Sequence, residues 1–192
     1  MNLLPPHHAR TGRTARLAVT LLLAILFLSP AVPVAAAAPS SRSVALLKNS
    51  DYLDALVQGI RTARQSVVCS CYLFKTGPSR HDRPRLIADE LIRARQRGVA
   101  VTVILEEEGR HPDELNAANH DTAVLLRRGG VTVRFDSPRV TTHVKAVVID
   151  NRYVYIGSHN LTQSALAHNN ELSLLIDSPS LAAEVTGYLS RL

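Results

Sequence analysis

One stretch of this 192-residue chain concentrates groups that can handle a phosphoryl group. It reads Thr142-His143-Val144-Lys145-Ala146-Val147-Val148-Ile149-Asp150. After Asn151 and Arg152 it continues as Tyr153-Val154-Tyr155-Ile156-Gly157-Ser158-His159-Asn160. His143 and Lys145 are two apart in a β-rich run, so they share a face. An ammonium beside an imidazole on a rigid strand suits phosphoryl chemistry. The cation binds the anionic group, and the imidazole attacks phosphorus or transfers a proton. A tight hairpin at Asp150-Asn151-Arg152 would return Gly157 and Ser158 beside them. Gly157 permits close backbone approach and reads as a backbone requirement, not a participant. Ser158 and Asn160 can donate to phosphoryl oxygens. Asn160 also precedes a short helix expected from Leu161, whose free N–H groups favour an anion. Asp150 reads as a structural brace of the hairpin.

These residues resemble the signature of the phospholipase D superfamily, His-x-Lys-x4-Asp-x6-Gly-Ser-x-Asn. His143, Lys145, Asp150, Gly157, Ser158 and Asn160 fit it without a spacing error. Six residue types at fixed offsets make a specific match. The order of elements over residues 50–190 is also similar, closest to the small branch with one motif per chain. That branch includes bacterial endonucleases and the mitochondrial cardiolipin hydrolase group. Glu171, eleven residues after Asn160, matches an acidic residue with which this branch orients its histidine.

The resemblance implies a reaction without a metal or other cofactor. One histidine attacks phosphorus and forms a phosphohistidine. A second protonates the leaving oxygen and then activates water. This chain carries one such motif and no second His-x-Lys partner. The resemblance therefore implies a homodimer in which two copies of His143 share one phosphate across a two-fold axis, with Lys145 neutralising the developing charge. The substrate is a nucleic acid or a phospholipid headgroup, with the balance towards an endonuclease-like activity. A phospholipase would expose an apolar rim, for which Val140 and Leu166 are the candidates. A non-catalytic nucleic-acid-binding module on the same fold is the remaining reading, but such a module should lose His143 or Lys145, and both are present.

The elements that must position these groups follow from hydrophobic spacing. Residues 51–65, 84–97 and 112–128 have helical periodicity, and 66–74, 99–105 and 131–135 read as strands. Their alternation predicts βαβ units. In the second half, 143–149 and 153–156 form the hairpin. Residues 161–168 read as a short helix, 171–176 as a strand and 181–192 as a closing helix. The expected fold is α/β, a phospholipase D-like mixed but mostly parallel sheet flanked by helices in an α/β/α sandwich.

Arg10, Arg13 and Arg16 precede the apolar run Leu17–Leu28, which leads to Pro30, Pro33 and Ala35–Ala38. A basic region, an apolar core and small residues make a secretory signal over residues 1–38. The expectation is export to the periplasm or beyond; an uncleaved run would anchor the domain to a membrane. Residues 39–47 read as a linker and 48–192 as the catalytic domain. The formal charge of +6 owes half its excess to those three arginines, leaving a mildly basic domain compatible with phosphate-bearing substrates. Aromatic residues are only 4% and Trp is absent, which weighs against a stacking platform for single strands.

Cys69 and Cys71 lie two apart in a strand, awkward for a disulfide, and read as small buried hydrophobes. No metal-ligand spacing emerges. His81, His111, His120 and His168 read as surface residues, and His159 as solvent-facing. The run Glu106–Glu108 reads as a solvated loop, although Glu106 stands where related enzymes often carry Asp.

Overall fold

The computed structural model describes residues 43–79, 81–109 and 114–192. The expected signal at 1–38 lies outside the described residues, as do positions 39–42 and His111. The rest of the expected linker does not behave as one. Ser43–Lys48 forms strand β1, the edge of a seven-stranded sheet, paired antiparallel with the last strand. It was illegible because Val44-Ala45-Leu46-Leu47 lacks alternation, and its pairing partner lies far along the chain.

After β1 come helix α1 (Asp51–Thr62), β2 (Ser66–Cys71), α2 (Arg83–Gln96), β3 (Ala100–Leu105) and α3 (Glu114–Arg128). Then follow β4 (Thr132–Phe135), β5 (Lys145–Ile149), β6 (Tyr153–Gly157), α4 (Gln163–Ala167), β7 (Leu172–Asp177) and α5 (Pro179–Leu189). The sheet order is β1-β7-β6-β5-β2-β3-β4. Only β2–β3 and β3–β4 pair in parallel, each joined through a helix. The other junctions are antiparallel, so the sheet is mixed but not mostly parallel. The cause is the absence of a crossover helix after β4. The chain turns back through residues 136–144 and lays β5 antiparallel against β2, and a hairpin with a three-residue loop, Asp150–Arg152, then adds β6.

Local sequence explains the elements. Asp82 caps α2 by accepting the N–H of Arg85, with Pro84 in the first turn. Asp150 and Asn151, at φ 53° and 51°, are the left-handed pair at the centre of the turn, which the Arg152 N–H closes on the Ile149 carbonyl at 3.1 Å. The main core lies on one face, where Leu53, Leu56 and Ile60 of α1, Leu91 of α2 and Leu126 of α3 pack on Val67, Val103, Val147 and Ile149. On the other face Val148 and Val154 meet α5 through Ala182, with Ile176 and Val185 beside them. The result is the expected α/β/α sandwich, with one helix on the second face. Cys69 and Cys71 are free thiols inside the main core, as expected of small hydrophobes.

Candidate active site

The motif residues other than Asp150 gather where β2, β3, β4 and β6 end and β5 and β7 begin. Ligands of open α/β sheets tend to bind beyond the carboxyl ends of parallel strands. Lys145 is the first residue of β5, and His143 stands just before the strand in extended chain, not within it. Lys145 is buried at 9% exposure, opposite Cys71 of β2, while His143 is exposed. The Lys145 ammonium donates to the His143 carbonyl at 3.2 Å and lies 5.1 Å from the Tyr72 ring centroid. The His143 ring meets the same tyrosine edge-on, with centroids 4.5 Å apart. Tyr72 thus steadies both groups. Sequence reasoning missed it because its only signal is the β2–β5 pairing, a non-local fact.

Electrostatics favour a neutral, nucleophilic imidazole. Partial burial, followed by the charge of Lys145, pushes the His143 pKa below its ordinary value. Burial also lowers the Lys145 pKa, opposed by Cys71 and Glu171.

The hairpin pairs in the register that carries Gly157 towards Lys145, with Ala146 opposite Ile156. A Cβ at Gly157 would collide with the Leu172 carbonyl and with Ser173 on β7. Gly157 is therefore required by close strand packing, as expected. The Ser158 hydroxyl donates to the Glu171 carboxylate in a short contact and accepts the Leu172 N–H at 3.1 Å. The second Glu171 oxygen accepts from the Asn169 amide at 3.1 Å. Within one chain, then, Glu171 engages Ser158 and Asn169, and no hydrogen bond among the described residues joins it to His143. The Asn160 side-chain oxygen is buried without a hydrogen-bond partner among the described groups. Asn160 does not cap the following helix. Thr162 does, by accepting the Ala165 N–H at 3.2 Å.

Asp150 lies away from these groups. It accepts the N–H groups of Arg64, Gln65 and Ser66 at 2.7–3.1 Å, bracing the α1–β2 junction against the hairpin. Burial opposes its charge, but the Gln65, Ser66 and Arg64 N–H groups together outweigh it and hold its pKa below the ordinary value. The structural reading of Asp150 stands.

His159 does not face solvent. It is 1% exposed and stacked on Tyr52 with centroids 4.3 Å apart. Its Nε2 meets the Asn49 carbonyl at 2.9 Å, and its Nδ1 meets the Ser173 hydroxyl at 2.7 Å. Since a carbonyl only accepts, Nε2 carries the proton and Nδ1 accepts from Ser173. The ring ties the Ser158–Asn160 segment to the β1–α1 turn. Glu106 is also buried, not solvated. His81, His120 and His168 are exposed as expected, and among the described residues no cluster of His, Cys, Asp or Glu could hold a metal ion.

The family of PLD-like domains described under cardiolipin synthase matches residues 56–192, most of the chain. The chain belongs to the phospholipase D superfamily. It is similar to the minor cardiolipin synthase ClsB of Bacillus subtilis, 30% identical over 118 residues, covering 62% of this chain and 27% of that protein. It is 33% identical over 110 residues to the 5'-3' exonuclease PLD3 of Xenopus laevis, covering 56% and 21% of the two chains. The chain thus spans about a quarter of the length of these relatives. Among solved structures it is similar to Nuc, a phospholipase D family member from Salmonella typhimurium. The TM-score is 0.65 at 25% identity, covering 77% of this chain and 91% of that one. The superfamily fold is therefore that of this chain.

Proposed function

We propose that this protein is a phosphodiester hydrolase that works through a phosphohistidine on His143 and needs no metal. The observation that carries this reading is the pairing of an exposed imidazole, its pKa lowered, with the ammonium of Lys145 on one strand end. His143 attacks phosphorus as the P–O bond to the leaving group breaks. A second imidazole gives that oxygen a proton. It then takes a proton from water, which attacks the phosphohistidine and frees His143. Lys145, Ser158 and Asn160 bind the phosphoryl oxygens. Lys145 has three donors and spends one on the His143 carbonyl, leaving two for substrate.

The second imidazole is His143 of a second copy, so the working unit is a homodimer with a shared site. Glu171, without a bond to its own histidine, orients the one across the two-fold axis. The exonuclease activity named for PLD3 favours a nucleic acid substrate. Localisation outside the cytoplasm, from the sequence of residues 1–38, belongs to the same proposal.

A phospholipid substrate is the second reading. Val140 is 73% exposed, and Leu172 and Ile156, next in sequence to Glu171 and Gly157, are exposed too; this is the apolar surface that favours the lipid reading. Leu166 is not part of it, being fully buried. The test is hydrolysis of bis(p-nitrophenyl) phosphate in EDTA by purified protein. Activity in the parent and its loss in His143→Ala are expected. An inactive parent, or an active variant, would sink the proposal. Parallel assays on plasmid DNA, RNA and cardiolipin or phosphatidylcholine vesicles then separate the two substrates.

A further inference from the structure

We propose that Glu106 and Asp136 form a proton-sharing carboxyl pair that positions His143 through the backbone N–H of Thr142. The pair arises from strand register. Leu105 and Phe135 are partners at the ends of parallel β3 and β4, so the next residues, Glu106 and Asp136, emerge side by side. Both are buried, at 1% and 7% exposure. Glu106 Oε2 accepts the N–H of Thr142, the residue before His143. Asp136 Oδ1 accepts the Glu107 N–H at 2.8 Å. Asp136 Oδ2 is buried with no hydrogen-bond partner among the described groups.

A buried acceptor requires a donor, and two adjacent buried carboxylates cannot both ionise cheaply. One proton on Glu106, directed at Asp136 Oδ2, resolves both demands and leaves Oε2 for Thr142. Among the described residues the surroundings show no ion-paired cation on either acid. On the β3–α3 side stand Glu107, with His120 of α3 at 3.4 Å from it, and Glu108. Asn119 of α3 donates to the Glu106 carbonyl, and Cys71 of β2 accepts the Glu106 N–H through its own carbonyl. Beyond the anchored N–H stand His143, the Lys145 ammonium on the His143 carbonyl at 3.2 Å and Tyr72 against the imidazole.

Burial, then the hydrogen bond with Asp136, raises the Glu106 pKa from 4.5 to about 7, with Glu108 adding and the Thr142 N–H opposing. A carboxyl raised in the fold contributes stability that is full below about 4.5 and lost as pH rises through about 7. Above that, two negative charges face each other at the anchor of Thr142. Their separation shifts the segment that carries His143. Glu106 and Asp136 are positioning residues; neither touches the reacting phosphate.

This inference rests on the proposed role of His143, so its test includes a readout independent of activity. Glu106→Gln keeps both contacts at every pH, since its amide nitrogen donates to Asp136 and its oxygen accepts from Thr142. In the full chain, the Thr142 amide NMR resonance should move with a midpoint near 7 in the parent and lose that inflection in E106Q. The melting temperature of the parent should fall more than that of E106Q as pH rises from 4.5 to 7. Against bis(p-nitrophenyl) phosphate, E106Q should extend the alkaline limb of kcat with KM little changed. Glu106→Ala should lower kcat about tenfold to a hundredfold, as expected of a displaced catalytic group. If E106A fails to fold, E106Q decides alone. A parent and E106Q with identical Thr142 titrations and identical melting profiles would overturn the pair. An inactive parent that still shows the Thr142 inflection would keep the pair and overturn the catalytic reading instead.

Discussion

At the scale of single residues, the contrast between Asp150 and His143 shows how one motif mixes two kinds of work. Asp150 spends its carboxylate on three N–H groups. Asp150→Asn should cost about 2–3 kcal/mol, the order expected for a lost hydrogen bond to a charged group. Chemical denaturation at neutral pH measures it, and an unchanged midpoint would contradict the brace. Because the Asp150 pKa is depressed in the fold, its contribution is present above the ordinary 3.8 and lost as pH falls through the depressed value. His143 behaves oppositely: burial and then Lys145 disfavour its charged form. In Lys145→Gln the His143 ring should titrate at higher pH than in the parent, as read by NMR. An unchanged titration would mean that the lysine charge does not act on the imidazole. The proposed mechanism needs one imidazole neutral and one protonated, so kcat should have a bell-shaped pH profile whose apparent values belong to the pair.

At the scale of elements, the site depends on strand ends meeting in register. His159 fastens the Ser158–Asn160 segment to the β1–α1 turn and to β7. His159→Phe keeps the stacking on Tyr52 but strands the Asn49 carbonyl and the Ser173 hydroxyl. Thermal or chemical melts should show a loss of about 1–3 kcal/mol, the cost of leaving buried polar groups unsatisfied. No loss would make the ring a passive filler. What was legible in the sequence follows the same division. His143, Lys145, Gly157 and Ser158 are joined by a hairpin whose turn residues declare it, so their proximity could be read from local spacing. Tyr72, Glu106 and Asp136 arrive from β2, β3 and β4, and only the folded register brings them near His143. The parallel half was legible from its helix-sized connections. In the antiparallel half the β5–β6 hairpin was legible, but the direction of β5 against β2 was not, because the segment between β4 and β5 carries no periodicity that announces it. Strand β1 was missed because an edge strand is defined by a partner distant in the chain.

At the scale of the whole molecule, one chain supplies half of the proposed chemistry. Each chain offers the exposed His143 imidazole, the Lys145 ammonium and the Ser158–Glu171 contact. The two-histidine mechanism therefore makes activity a property of a pair of chains. The most direct test is to refold parent and His143→Ala chains together in varied ratios at fixed total concentration, and to follow bis(p-nitrophenyl) phosphate hydrolysis in EDTA. If two copies of His143 serve one phosphate, mixed dimers are inactive and activity falls as the square of the parent fraction. Activity that falls in direct proportion to the parent fraction, with mixed dimers shown to form, would mean that each chain acts alone and would contradict the account.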